Sequence, residues 1–150
     1  MEESSLKDTL FSYMSRLHNK GDVFLCDELK KRGITGLVYS HISIIAILSI
    51  YKVLSMKEVS EKISKDKSTV TTLVNKLVKL GYVKKSISLE DKRVIFLSLE
   101  KKADEITEII SEVSQIFEKK VETILGPCDI DLLMRILNLS LIHISEPTRP

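Results

Sequence analysis

Over residues 67–99 the spacing of apolar side chains changes from a helical to a strand period at a single glycine. Val70, Leu73, Val74, Leu77 and Leu80 recur at steps of three and four, which puts them on one stripe of a helix. Gly81 follows, where a residue free to take positive φ ends a helix. Beyond it, residues 82–87 and 94–99 read as two strands, with Ile95, Leu97 and Leu99 alternating on one face. The link between them, residues 88–93, is polar and charged. Upstream, Met56, Val59 and Ile63 mark one face of a short helix over 56–64. Lys65-Asp66-Lys67 is the turn, and Asp66 or Ser68 is placed to cap the next helix by accepting a backbone N–H bond. A helix, a turn, a second helix to Leu80 and a hairpin with a charged tip therefore follow one another.

The flanks predict more helix. Leu6, Leu10, Tyr13, Met14 and Leu17 give an amphipathic helix over 4–18, ended by turn chemistry at 19–22. A short helical piece over 27–32 is closed by Gly33. Residues 40–53 are apolar nearly all round, as expected of a central helix buried on every face. A strand is the rival reading because Ile is β-branched, but the length favours a helix. From Lys101 a seam of Ile, Val and Phe predicts a helix of about 25 residues, stopped by Gly126-Pro127. A last helix starts near Asp129, with Ile130, Leu133, Ile136 and Leu137 on its apolar face. The final ten residues, LIHISEPTRP, break that pattern and read as translated sequencing-adapter sequence, a non-native tail in which His143 has no role.

Bulk properties bound the rest. At 150 residues the chain fits one domain, and 43% hydrophobic with 29% charged residues is ordinary for a globular protein. The longest apolar run, residues 44–48, is far too short to cross a bilayer, and the acidic start MEESSLKDTL has no signal-peptide pattern. A cytoplasmic protein with no membrane partner is expected. Cys26 and Cys128 form no CxxC pair, so two reduced thiols are expected. Net charge is +2, yet residues 52–102 hold 13 Lys/Arg against 6 Asp/Glu. A basic segment between acidic flanks suits a polyanion-binding module.

The candidate chemistry lies in that segment. Opposite its apolar stripe, the helix after the turn presents Ser68, Thr69, Thr71, Thr72, Asn75, Lys76 and Lys79, with Lys67 at its start. Hydroxyls and amides bond base edges or phosphates, and lysines neutralise phosphates. The hairpin carries Lys84 and Lys85 on its first strand and Asp91, Lys92 and Arg93 at its tip. An Arg there can enter a narrow minor groove, and Asp91 is placed to orient it by a bidentate pair. The plain alternative for both is a solvated, charged surface.

The stretch MKEVSEKISKDKSTVTTLVNKLVKLGYVKKSISLEDKRVIFLSLEKKADEI resembles the MarR family of bacterial and archaeal regulators. The matching residues are Lys67-Ser68-Thr69-Val70-Thr71, Leu73-Val74, Leu77, Gly81-Tyr82-Val83 and Asp91-Lys92-Arg93. No single piece is diagnostic, but order and spacing together are specific over about 50 residues, counted against the family pattern. Where the family ends its wing with Leu-Thr and a Gly three residues on, this chain has Leu99-Glu100 and Ala103, a weaker cap but a better helix former.

The resemblance implies a mostly α fold with a small β-hairpin wing: a single domain with a winged helix-turn-helix over about 54–99 and dimerisation helices over 4–20 and 101–140. It implies a homodimer on a pseudo-palindromic site in double-stranded DNA, recognition helices in successive major grooves and wings in the minor groove. Lys67, Ser68, Thr69, Thr71, Thr72, Asn75, Lys76, Lys79, Lys84, Lys92 and Arg93 become the DNA-binding set, with Asp91 orienting the wing. Members are commonly repressors released by a small molecule, by oxidation or by a metal.

For this chain, an aromatic or amphipathic effector near Tyr13, Tyr39 and the Ile-rich helix fits the family, and no cofactor or metal is expected. His18 and His41 lack ligand spacing. An oxidation-sensing regulator of the same fold is an alternative, with Cys26 as its sensor, but the neighbours Leu25, Asp27 and Glu28 would not lower a thiol pKa. Cys128, behind Pro127 at a helix start, is expected to be equally ordinary. Without a Gly-rich phosphate loop, a nucleophile elbow or HExxH, the chain is not expected to be an enzyme. The rival from another class is a winged-helix protein-interaction module, which would have a neutral or acidic recognition face.

Overall fold

The computed structural model describes the backbone over residues 9–144 and side chains over 9–141. Among these residues the order is α1 (Leu10–Lys31), α2 (Tyr39–Tyr51), β1 (Val53–Ser55), α3 (Met56–Ile63), α4 (Lys67–Lys79), β2 (Val83–Ile87), β3 (Ile95–Leu99), α5 (Ala103–Leu125) and α6 (Pro127–Ile144). The chain divides into two compact units, Met1–Ser111 and Glu112–Pro150.

The first unit is built on α2. Ile42, Ile44, Ile45 and Leu48 are buried there and join Val59 of α3, Val70, Val74 and Leu77 of α4 and Leu97 of β3 in one core. The stripe read from 70 to 80 is therefore the face that α4 buries. Full burial of a side chain such as Leu77 is worth about 1.5–3 kcal/mol, enough to hold a short helix that would not persist alone. α2 is a helix, as its length suggests, but it is not buried all round. Ile50 is 70% exposed and Ile47 only half-buried.

α1 corrects the expected break at 19–22. One helix runs from Leu10 to Lys31, through Gly21 and across the separate piece expected at 27–32. An internal Gly costs about 1 kcal/mol against Ala. Burial of Leu29, with Leu25 and Cys26 packed on the same core, outweighs that. Surface pairs from Asp27 to Lys30 and from Glu28 to Lys31 and Arg32 add little to this. Thr9 caps the start, its Oγ1 accepting from Ser12 N–H at 3.2 Å. Residues 4–8 of the expected helix lie outside the described residues.

β1 was not anticipated. Three residues carry no readable period, and 40–53 reads as a single helix. Lys52, at φ 65, ends α2, and Val53–Ser55 then pairs antiparallel with β3. The sheet order is β1-β3-β2, so β3 is central. In the hairpin Val83 lies opposite Leu99, Lys85 opposite Leu97 and Ile87 opposite Ile95. Gly81, at φ 79, is the turn out of α4. Lys102 Nζ donates to the Leu80 carbonyl at 2.8 Å, satisfying an acceptor left free at the helix end. Ala103, at the departure from the family pattern, begins α5 fully buried.

In the second unit, α5 ends at Gly126 (φ 84) as expected, and α6 begins at Pro127, two residues before Asp129. Proline suits a first helical turn because its missing N–H would have no partner there. α6 continues to Ile144, so the expected break at 141 does not occur. The helix-breaking Pro147 and Pro150 come later in the sequence. Residues 145–150 and the side chain of His143 lie outside the described residues.

Candidate nucleic-acid interface

Two caps set the geometry of the helix pair. Ser55 and Glu58 form a capping box on α3: Glu58 N–H donates to Ser55 Oγ at 3.2 Å, and Ser55 N–H to Glu58 Oε2 at 2.7 Å. Bonds from the Ser55 amide and hydroxyl hold the Glu58 carboxyl below its ordinary pKa. Ser64, left-handed at φ 52, closes α3, and the Ser60 hydroxyl donates to the Lys65 carbonyl across the turn. Of the two candidate caps for α4, Asp66 is the one used. Its Oδ1 accepts from Thr69 N–H at 2.9 Å and its Oδ2 from the Thr69 hydroxyl at 2.6 Å. Those two bonds, the hydroxyl first, lower its pKa.

With Val70, Val74 and Leu77 turned inward, the i, i+4, i+7, i+11 series Ser68, Thr72, Asn75 and Lys79 lies outward and exposed. Lys67 is exposed beside it, while Thr69 and Thr71 are half-buried. The Thr71 and Thr72 hydroxyls donate to Lys67 and Ser68 carbonyls at 2.7 and 3.2 Å, which leaves their lone pairs outward as acceptors. Lys76 lies on the other flank, close enough to α2 for its ammonium to act on buried His41.

The hairpin tip is organised by two side chains. Ser88 Oγ accepts from Glu90 and Asp91 N–H at 3.2 and 3.3 Å. Asp91 accepts from the Arg93 amide at 2.9 Å, and from Nε and Nη2 of Arg93 at 3.1 and 3.2 Å. The guanidinium first, then that amide, lower the Asp91 pKa. The Arg93 side chain is held by that pair and is 90% exposed. Lys92 is exposed beside it.

Lys84 and Lys85 part company. Strand alternation puts Val83, Lys85 and Ile87 on the helix-facing side of the hairpin, with Lys84 on the other. Lys85 Nζ reaches Asn75 Oδ1 at 2.6 Å, tying the hairpin to α4. The expected DNA-binding set includes Lys84 and omits Lys85, although the same alternation that predicts the strand assigns Lys85 to that side.

A second feature of the first unit is a cleft of about 890 Å³ lined by α1, α2 and the end of α3. Tyr39, Val38, Ala46 and Ile47 give it an apolar wall; Asp22, Lys30, Lys62 and Lys65 give it charge, and His18 lines it beside them. His18 Nε2 lies 3.6 Å from Asp22 and edge-on to Tyr39, with ring centroids 5.5 Å apart. Tyr39 lines this cleft, whereas Tyr13, the other expected effector neighbour, does not. Cys26 also lines it, and burial pushes its thiol pKa up against the pull of Lys30. His41 is buried and packed: its Nδ1 accepts from Val38 N–H at 3.1 Å, at the start of α2. Among the described residues no group of three or more His, Cys, Asp or Glu could hold a metal ion, and no helix is long and apolar enough to cross a membrane.

Residues 37–95 match the MarR family model. The HTH-type transcriptional regulator SarZ of Staphylococcus epidermidis is 29% identical over 80 residues, 53% of this chain and 54% of that protein. A mutant MarR of E. coli complexed with operator DNA superposes with a TM-score of 0.81 at 19% identity, over 94% of this chain and 99% of that one. NadR in complex with 4-hydroxyphenylacetate superposes with a TM-score of 0.74 at 21% identity, over 97% and 100%. The chain spans about half the length of the curated relatives it matches. α3, α4 and the β2–β3 hairpin form a winged helix-turn-helix, and all but the last part of it falls within the residues that match the MarR family model.

Proposed function

We propose that this protein is a sequence-specific, double-stranded DNA-binding transcriptional regulator, acting as a homodimeric repressor on a pseudo-palindromic operator. One observation carries the reading. The exposed stripe Ser68, Thr72, Asn75 and Lys79 belongs to the same winged helix as a tip arginine already oriented by a carboxylate. In this reading α4 enters the major groove and Arg93 the minor groove, while Lys67, Lys76, Lys79, Lys84 and Lys92 neutralise phosphates. The fold it shares with an operator-bound protein supports the same docking. Exposed apolar side chains on α1 (Leu10, Phe11, Leu17) and on α6 (Leu132, Ile136, Leu139) support α1 and α6 as the dimer-forming helices.

The effector, in this reading, is a small aromatic acid in the Tyr39 cleft, whose apolar wall and flanking lysines suit a ring bearing a carboxylate. The 4-hydroxyphenylacetate bound by NadR is of that class.

Titration of the protein against duplex DNA from its own upstream region, at several salt concentrations, tests the function. With six to ten phosphate contacts, affinity should fall by about 10³–10⁵ between 50 and 200 mM salt, and Arg93→Ala should weaken binding about tenfold. Absent or salt-independent binding, to that DNA and to a random-site pool, favours the protein-interaction module instead.

A further inference from the structure

Asn75 sits on the exposed stripe of α4, and its amide is not free to choose an orientation. Lys85 Nζ lies 2.6 Å from its oxygen. An ammonium has three donors and no acceptor, so the Asn75 oxygen must face Lys85 and the Nδ2 amino group must face away. The side chain that asparagine offers to adenine uses both ends: the oxygen accepts from adenine N6 and Nδ2 donates to N7. Here the oxygen is engaged. The lone pair it retains lies beside a positive charge, where the donor amino group of adenine is disfavoured. What remains is a pair of N–H donors beside an ammonium, which matches an acceptor-rich base edge such as guanine O6/N7 or thymine O4.

We infer that Lys85 is a specificity-determining residue of the DNA interface: by holding the Asn75 oxygen it makes α4 read a base edge that offers acceptors alone, guanine or thymine, rather than the donor–acceptor pair of adenine, at the base facing Asn75. This rests on α4 lying in the major groove as proposed above. Lys85 acts through Asn75, so it is a positioning residue. Its placement follows from the hairpin register, which puts it on the helix-facing side opposite Leu97.

Selection from a random duplex pool with the full chain tests the inference, comparing wild type, Lys85→Met, Lys85→Arg and Asn75→Ala. Both side chains are exposed, so the variants should fold; circular dichroism verifies that. Wild type and Lys85→Arg, which keeps a donor, should select guanine or thymine at one position in each half-site. Lys85→Met should shift the ratio at that position toward adenine by about tenfold, in line with the discrimination of one bidentate contact. Asn75→Ala should flatten it. If Lys85→Met lowers affinity equally for all sequences and reduces the salt slope by about one, Lys85 is a phosphate anchor and the inference is overturned. If wild type selects a consensus but Asn75→Ala leaves every position unchanged, Asn75 faces no base and the inference fails while the DNA-binding reading stands. If wild type selects nothing, both fail together.

Discussion

The Arg93 guanidinium lies against the Asp91 carboxylate through bonds of 3.1 and 3.2 Å, while the Arg93 amide donates to the same carboxylate at 2.9 Å. Three donors from one residue converge on a group two positions earlier, so the tip is ordered locally rather than by the core. The pair is solvent-exposed and contributes little to stability. Its consequence is to restrict where the arginine points.

The pair has a pH signature. The folded pKa of Asp91 lies below its unfolded value, so the interaction is fully present above the ordinary carboxylate pKa, about 3.9, and is lost as pH falls through the folded value. In a carboxyl-resolved NMR titration, the Asp91 midpoint should move up toward the ordinary value in Arg93→Ala. An unchanged midpoint would mean that the pair does not persist in solution.

His41 titrates with the opposite preference. Burial first, then the Lys76 ammonium, lower its pKa, so the folded state favours the neutral ring. The unfolded chain then binds more protons below its own pKa of about 6.5. Stability should therefore be full above that pH and fall as pH drops toward the folded value. His41→Gln, which keeps an acceptor without the titration, should lose less between pH 7.5 and 5.5 in urea unfolding. Equal losses in both proteins would place the titrating group elsewhere.

Leu77 joins α4 to the core with no exposed surface. Leu77→Ala should cost about 2–5 kcal/mol in urea unfolding. Val78→Ala, on a side chain still 37% exposed, should cost far less. Similar costs for the two would contradict the facing of α4, and with it the outward stripe.

The two thiols should separate kinetically. Cys26 is half-buried with a raised pKa, and Cys128 is exposed. The thiolate is the reacting form, so iodoacetamide at pH 7.5 should modify Cys128 well before Cys26. Peptide mapping over time reads the order, and faster labelling of Cys26 would revive it as an oxidant-sensing site.

Local pattern made the winged helix legible. The stripe from Val70 to Leu80, Gly81 after it and the alternation from Ile95 to Leu99 each express one period, and each corresponds to the element formed. The turn at Gly21 fails for an energetic reason. A penalty of about 1 kcal/mol for an internal Gly is small beside the burial of a side chain such as Leu29, and that burial is invisible until the core exists. β1 escaped because three residues show no period; its partner β3 lies over forty residues away.

The candidate site divides the same way. Its chemical groups, from Ser68 to Lys79 and at Asp91 and Arg93, are present in the residue types and their spacing, and the Asp91–Arg93 pair is close enough in sequence to be expected from it. Contacts such as Lys85 to Asn75 and Lys102 to the Leu80 carbonyl span ten and twenty-two residues and follow from the packing of the hairpin on α4. Periodicity and caps are short-range properties, set by backbone geometry over a few residues, so the sequence by itself determined the elements and the exposed chemistry of this protein. Which donor meets which acceptor depends on how those elements stack, and only the tertiary structure decided that the oxygen of Asn75 belongs to Lys85.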